Sequence, residues 1–311
     1  MRRFEYLIAF ICAKREGLSE GQIMEKVAEL KRDFEVEKHR AIGRGKPFSK
    51  TIRVSESLVE ECEKLASMSG LIDKKEGKLS PLGDKVAQFG DSEEGRRFLG
   101  HILLESLPPF ARAIVELSRL PNTEIVVPQQ RNLRLFLEYL SKSEIRLSQF
   151  DFEIVRDWAT QLEISNWLTE EKTDKRLSTV YLCSKVDNSA EGGGDLVFRF
   201  EGSEYSITFN FVDPPEFKTV LWEEYLKLAK FVPRKPVFYS RLRASVCYRL
   251  RVSDAFFDRT IAKLIGHDEE LLVVGSSGVL PRDKDWTSTL KYLPPKTERG
   301  EYIVYLRLDK R

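Results

Sequence analysis

Lys230, Arg234, Lys235, Arg241, Arg243, Arg249 and Arg251 fall within the 22 residues 230–251, which contain no acidic side chain. Arg259 and Lys263 follow four apart, which places both on one face of a helix, although Asp258 is adjacent. Guanidinium groups bind phosphate and guanine through paired N–H donors, so a surface set of this kind fits a phosphate lattice. Neutralising about six phosphates would make affinity fall steeply with salt. A second reading pairs some of these arginines with the acidic middle region of the same chain, residues 91–214.

Other chemistry is poorly represented. There is no G-x-x-x-x-G-K-[ST], no H-E-x-x-H and no G-x-S-x-G, and Gly192–Gly194 lacks the spacing of a dinucleotide loop. His39, His101 and His267 lie far apart in the sequence, so neither a structural zinc site nor any other metal or cofactor is expected. Asp195 followed by Glu216-Phe217-Lys218 has the residue order of a metal-dependent nuclease, two carboxylates for Mg²⁺ and a lysine beside the attacking water. That family needs the E-x-K on a strand. Here it follows Pro214-Pro215 and opens a helix, so the expectation is binding without catalysis.

Charge is distributed unevenly along the chain. The 311 residues carry 51 Lys+Arg and 49 Asp+Glu, a net +2. Residues 1–90 hold 18 basic and 15 acidic side chains (+3), 91–214 hold 14 and 21 (−7), and 215–311 hold 19 and 13 (+6). Two basic ends flanking an acidic middle suggest that the ends meet a polyanion while the centre meets a basic partner. The length favours two or three domains, with expected limits at 1–90, 91–214 and 215–311, where Asp213-Pro214-Pro215 starts the last.

The elements that must position these side chains follow from apolar spacing. Phe4, Leu7, Ile8 and Ile11 repeat at helical period, which together with Glu5 and the lack of a small-x-small site argues against a secretion signal. A second helix carries Ile23, Val27 and Leu30, capped by Ser19. Lys38, Arg40, Arg44, Lys46 and Lys50, broken by Gly43 and Gly45, read as an exposed loop. A third helix presents Leu58, Cys62 and Leu65 and ends near Gly70. Leu71-Ile72 and Lys78-Leu79-Ser80 flank a charged turn as two short strands, and Pro81-Leu82-Gly83 opens another helix.

Leu65, Gly70-Leu71-Ile72, Gly77, Leu79-Ser80 and Leu82-Gly83 together resemble the winged-helix family of DNA-binding domains. They match the end of its recognition helix, its wing and the helix that follows. The resemblance implies a mainly α chain with small β-hairpins, an α+β fold of tandem winged-helix-like domains. In that family the third helix enters the major groove. Here the third helix carries Glu56, Glu60, Glu61 and Glu63, which phosphates repel. Arg44, Lys46, Lys50 and Arg53 and the wing lysines Lys74, Lys75 and Lys78 are therefore the better contacts for the first domain.

The middle region places Leu99, Ile102 and Leu103 on one helix and Phe110, Ile114 and Leu117 on the next, then a strand over 124–127 and helices over 133–140 and 151–162. Trp167-Leu168 and Val180–Leu182 read as strands of a long wing, similar to a second winged helix. Trp158 and Trp167 read as packing residues rather than a base-stacking platform. Residues 187–195 read as a flexible tip, followed by a hairpin over 196–200 and 205–211 with alternating apolar side chains.

The last region reads as helices over 220–231, 240–250 and 253–265, with Ser253 as N-cap, then strands over 271–274 and 302–308 joined by a long polar loop. It again resembles a winged helix, with an enlarged wing carrying Arg282, Lys284, Lys291, Lys296 and Arg299. The expected duplex contacts are Arg241, Arg243, Arg249, Arg251, Arg259, Lys263 and Lys291. The resemblance implies a double-stranded DNA binder, as a transcription regulator or the recognition subunit of a DNA-processing or defence complex. A protein-docking scaffold is the other reading. Cys12, Cys62, Cys183 and Cys247 are far apart and sit among apolar residues, which suggests a reducing, cytoplasmic compartment. No run of ~18 apolar residues suggests a membrane span.

Overall fold

The computed structural model describes residues 4–41, 56–73, 75–128, 156–172, 175–188, 194–232, 235–265, 271–275 and 303–308. The fold is α+β, with helices packed around three small antiparallel sheets. Helices α1 (Phe4–Arg15), α2 (Glu20–Ala41) and α3 (Glu56–Met68) come first. Gln22 accepts from the Ser19 backbone N–H at 2.9 Å, which caps α2 from its third residue. α2 runs through Lys38 and Arg40, which therefore sit on a helix and not on the expected loop. The expected two-strand wing at 71–80 is a single bridge, Ile72 with Leu79, closed by Gly77 at φ 65°.

Helix α4 (Pro81–Phe89) starts where Ser80 accepts from the Gly83 N–H at 3.1 Å and donates to the Gly70 carbonyl at 2.6 Å. Gly83 lies so close to the Leu71 carbonyl oxygen that a Cβ would collide with it. Gly83→Ala is expected to cost about 1–3 kcal/mol through forced backbone movement, as urea unfolding would measure. Wild-type stability would refute that close approach.

Helices α5 (Glu93–Ser106) and α6 (Pro108–Ser118) meet at a 96° bend. Their apolar faces, including Leu99, Leu103, Phe110 and Ile114, are buried in the core. Among the described residues no single helix is long and apolar enough to cross a membrane.

Strand β1 (Glu124–Pro128) pairs with β3 (Lys175–Leu182), which also pairs with β2 (Ser165–Lys172), giving the order β1-β3-β2. Residues 156–161, just before β2, are helical. A second sheet has the order β4-β6-β5, from β4 (Ser184–Asp187), β5 (Leu196–Phe200) and β6 (Ser203–Phe209). β4 was not expected, since its four residues alternate too briefly to be read, and its pairing with β6 supplies what the sequence alone lacks. β6 ends at Phe209, and Phe211, expected inside it, is 82% exposed.

One apolar core runs from Phe4 to Ile207. The expected boundary between residues 90 and 91 therefore does not separate two cores. Trp158 joins them: its ring lies 5.4 Å from Phe4 of α1 and 6.0 Å from Phe110 of α6.

A second core begins at Val212. Helix α7 (Pro214–Leu228) starts six residues earlier than apolar spacing suggests, because Asp213 accepts from the Glu216 N–H at 2.8 Å and Pro214 needs no N–H partner at the helix start. Then come β7 (Val237–Phe238), α8 (Tyr239–Leu250), α9 (Asp254–Leu264), β8 (Leu271–Gly275) and β9 (Ile303–Leu308), with β9 between β7 and β8. Phe217, Tyr225, Tyr239, Leu242, Phe257 and Leu306 fill the space between them. The expected helix over 133–140 lies outside the described residues.

Candidate nucleic-acid interface

The basic residues of α8 and α9 do not form one surface. Arg243 is only 3% exposed and lies between the two helices. Its Nη1 donates to Asp258 Oδ2 at 2.9 Å, and its Nε is 3.7 Å from Asp254 Oδ2. Tyr239 donates its hydroxyl proton to the same Asp258. Burial pushes the Asp258 carboxyl upward against the opposing pull of Arg243 and the Tyr239 hydrogen bond. Arg243 is thus a core ion pair, and its expected contact with phosphate is corrected.

Arg249 is exposed but committed to α7, with Nη1 3.0 Å from Glu224 Oε1 and Nη2 on Glu223. Glu224 also receives Ser245 and Lys227. Burial pushes its carboxyl up, but those three donors outweigh it and hold it below its ordinary value.

Two further arginines reach across to the first core. Arg251, at φ 54° on the C-terminal side of α8, donates Nη2 to Glu124 Oε2 at 2.6 Å. Its guanidinium lies 5.0 Å from the Tyr181 ring and 4.4 Å from the Tyr248 ring. Arg259 grips Glu163 with both terminal nitrogens, at 2.7 and 2.9 Å, while Ser253 donates its hydroxyl to the same carboxylate at 2.6 Å. Burial raises the Glu163 carboxyl, and Arg259 and Ser253 more than reverse this, leaving it below the usual carboxylate range. The second reading of the arginine cluster, pairing within the chain, therefore holds for Arg251 and Arg259.

Lys263 is exposed on the last turn of α9. Arg241 is exposed on the first turn of α8, 5.7 Å above the Phe238 ring. Lys230 and Lys235 are exposed nearby in sequence, and Lys75 and Lys78 are exposed around Gly77. Lys78 pairs with Glu76 at 3.1 Å. Arg44, Lys46, Lys50, Arg53, Lys74 and Lys291 lie outside the described residues, as do Arg234, Arg282, Lys284, Lys296 and Arg299.

A cleft of about 540 Å³ opens beside the Arg259–Glu163 pair. Arg96 and Arg97 of α5, Asp195, Phe209, Phe211 and Phe256 also line it. Arg96 is held by Asp91 at 2.8 Å, and Arg97 by Glu93 at 2.9 Å, with its guanidinium 5.4 Å from the Phe209 ring.

The nuclease-like residues do not assemble as that chemistry requires. Asp195 accepts from the Phe209 N–H at 2.8 Å, while Glu216 and Lys218 stand exposed on the first turns of α7, a helix. Among the described residues no group of three or more His, Cys, Asp or Glu side chains is placed to hold a metal ion. The four cysteines are thiols rather than disulfides. Burial raises the Cys62 thiol to about 12, which keeps it protonated and unreactive at neutral pH.

Sequence reasoning missed Glu124, Glu163, Asn166 and Asn210 as partners of the last region. The acidic excess of residues 91–214 was the sequence signal for the two glutamates, and the two asparagines had none. Comparison with protein-family models, curated proteins and solved structures finds no match, so function must be argued from the site itself.

Proposed function

We propose that the chain binds double-stranded DNA through a winged-helix-like C-terminal unit, without catalysis. The observation that carries this reading is the element order α7-β7-α8-α9-β8-β9 with β9 in the middle of the sheet. It places α9 as the third helix, the position from which such domains read a groove, and leaves Lys263 exposed on it. The net +6 of residues 215–311 adds long-range attraction for a polyanion. The first core supports a tandem arrangement, because β1-β3-β2 repeats the same strand order after α6. A role as transcription regulator or as recognition subunit of a DNA-processing or defence complex is compatible with such a binder.

The protein-docking reading keeps one specific support. Arg243, Arg249, Arg251 and Arg259 all spend their charge within the chain, which removes four of the expected phosphate contacts. Titration of the full chain against labelled duplex at several salt concentrations separates the two. Duplex binding predicts a negative slope of affinity against salt, with Arg241→Glu and Lys263→Glu each weakening binding to all sequences and reducing the slope by about one or more. No binding at low salt would defeat the DNA reading and leave protein docking.

A further inference from the structure

The contacts between the two cores place carboxylates where arginines of a DNA-binding unit would otherwise meet phosphates. Glu163 takes both terminal nitrogens of Arg259, and Glu124 takes Arg251. A carboxylate held by both prongs of a guanidinium offers two anionic oxygens in the geometry that a phosphate also offers. We infer that Arg251 and Arg259 are duplex-contact residues held in reserve, with Glu124 and Glu163 acting as an internal competitor that DNA must displace. This inference rests on the duplex-binding reading above.

Three observations carry it. First, the apolar cores are separate, and much of what crosses between them is polar. Asn166 donates to Asp254 Oδ1 at 2.8 Å and Asn210 to the Arg251 carbonyl at 2.8 Å, beside the two glutamate contacts and a Tyr181–Tyr248 ring pair at 5.2 Å. A polar seam of this kind separates at lower cost than a shared apolar core, because water can replace its hydrogen bonds.

Second, the seam covers the part of α9 that a duplex would need. Recognition helices meet base edges with their N-terminal residues. Here Ser253 and Asp254 at that end are held by Glu163 and Asn166. Closed seam and groove insertion at this end of α9 exclude one another.

Third, the competitor is accessible. The Arg259 side chain remains 46% exposed, and its pair borders the 540 Å³ cleft, so an incoming phosphate can reach it before the pair breaks. Glu163 itself sits at φ 62° as the residue that ends the helix over 156–161, its N–H on the Thr160 carbonyl and the Ile164 N–H on the Ala159 carbonyl, a position that glycine also fills.

The test is duplex binding by the full chain carrying Glu124→Gln and Glu163→Gln, measured across salt concentrations beside the parent. The internal competitor loses its charge, so affinity should rise at least about tenfold and the salt slope should steepen by about two, one for each released arginine. Adding Arg259→Ala to the double variant should remove the share of the gain that Arg259 supplies, about one unit of the salt slope, whereas Arg259→Ala alone should change parental binding little. Glu163→Gly, which suits the left-handed backbone, provides the same release if the glutamine variant folds poorly. Unchanged or weaker binding by a folded variant, with the parent still binding, overturns the competitor while leaving the duplex reading intact. Binding by neither protein at low salt overturns the duplex reading itself, and the inference with it.

Discussion

Arg243→Ala is expected to destabilise the C-terminal unit by about 3–5 kcal/mol, the usual consequence of removing one partner from a buried ionic group. Arg243 is the cation between α8 and α9, and its removal leaves Asp254 and Asp258 facing each other beside Cys247 and Tyr239. Asp254, the more buried of the two, cannot rehydrate without opening the helix pair, whereas the Asp258 side chain keeps 24% exposure. Arg243→Lys should lose less, since an ammonium keeps the charge but not the fork that meets both aspartates. Arg243→Met combined with Asp258→Asn should recover at least about 1 kcal/mol of the loss, because coupled groups in one network do not add. Urea unfolding of the full chain, with hydrogen exchange of the α9 amides, reads all three. Parental stability in Arg243→Ala would show that the pair contributes nothing to the fold. The result also bears on function: loss of DNA binding in an Arg243 variant would report unfolding, which is why Arg241 and Lys263 are the informative surface positions.

Local features were legible because they depend on neighbours in sequence. Ser253 caps α9 through the N–H three residues ahead, Gly70 lies just beyond the end of α3, and the strands β8 and β9 show in their mostly apolar runs. The fate of the arginines was not legible, because their partners lie far along the chain. Arg251 meets Glu124 across 127 positions and Arg259 meets Glu163 across 96. A cluster of like charge in sequence states only that neutralisation must come from somewhere, and DNA phosphate and a distant carboxylate satisfy that need equally. Arg243 left a fainter trace. Asp254 and Asp258 are spaced i, i+4 on α9, alongside buried Phe257, which places carboxylates at the edge of an apolar face where a cation is required.

How far each apolar core extends along the chain was not legible for a related reason. A change in charge balance near residue 90 marks a surface property, whereas a boundary is fixed by which apolar faces meet. Trp158 makes this testable. It fills the space between α1 and α6, and the adjacent Gln161 side chain accepts from the Phe4 N–H at 2.8 Å, so the start of the chain is tied to residues more than 150 positions away. Trp158→Ala should cost about 3–5 kcal/mol, the range for truncating a large buried aromatic side chain. The loss should not stay in the middle of the chain. Amides of α1 and α6 should lose hydrogen-exchange protection together, while those of α8 and α9, whose core is separate, should lose less. If α1 kept its protection while α6 lost it, residues before 90 would form their own cooperative unit, and the ring contacts of Trp158 would join two domains instead of filling one core.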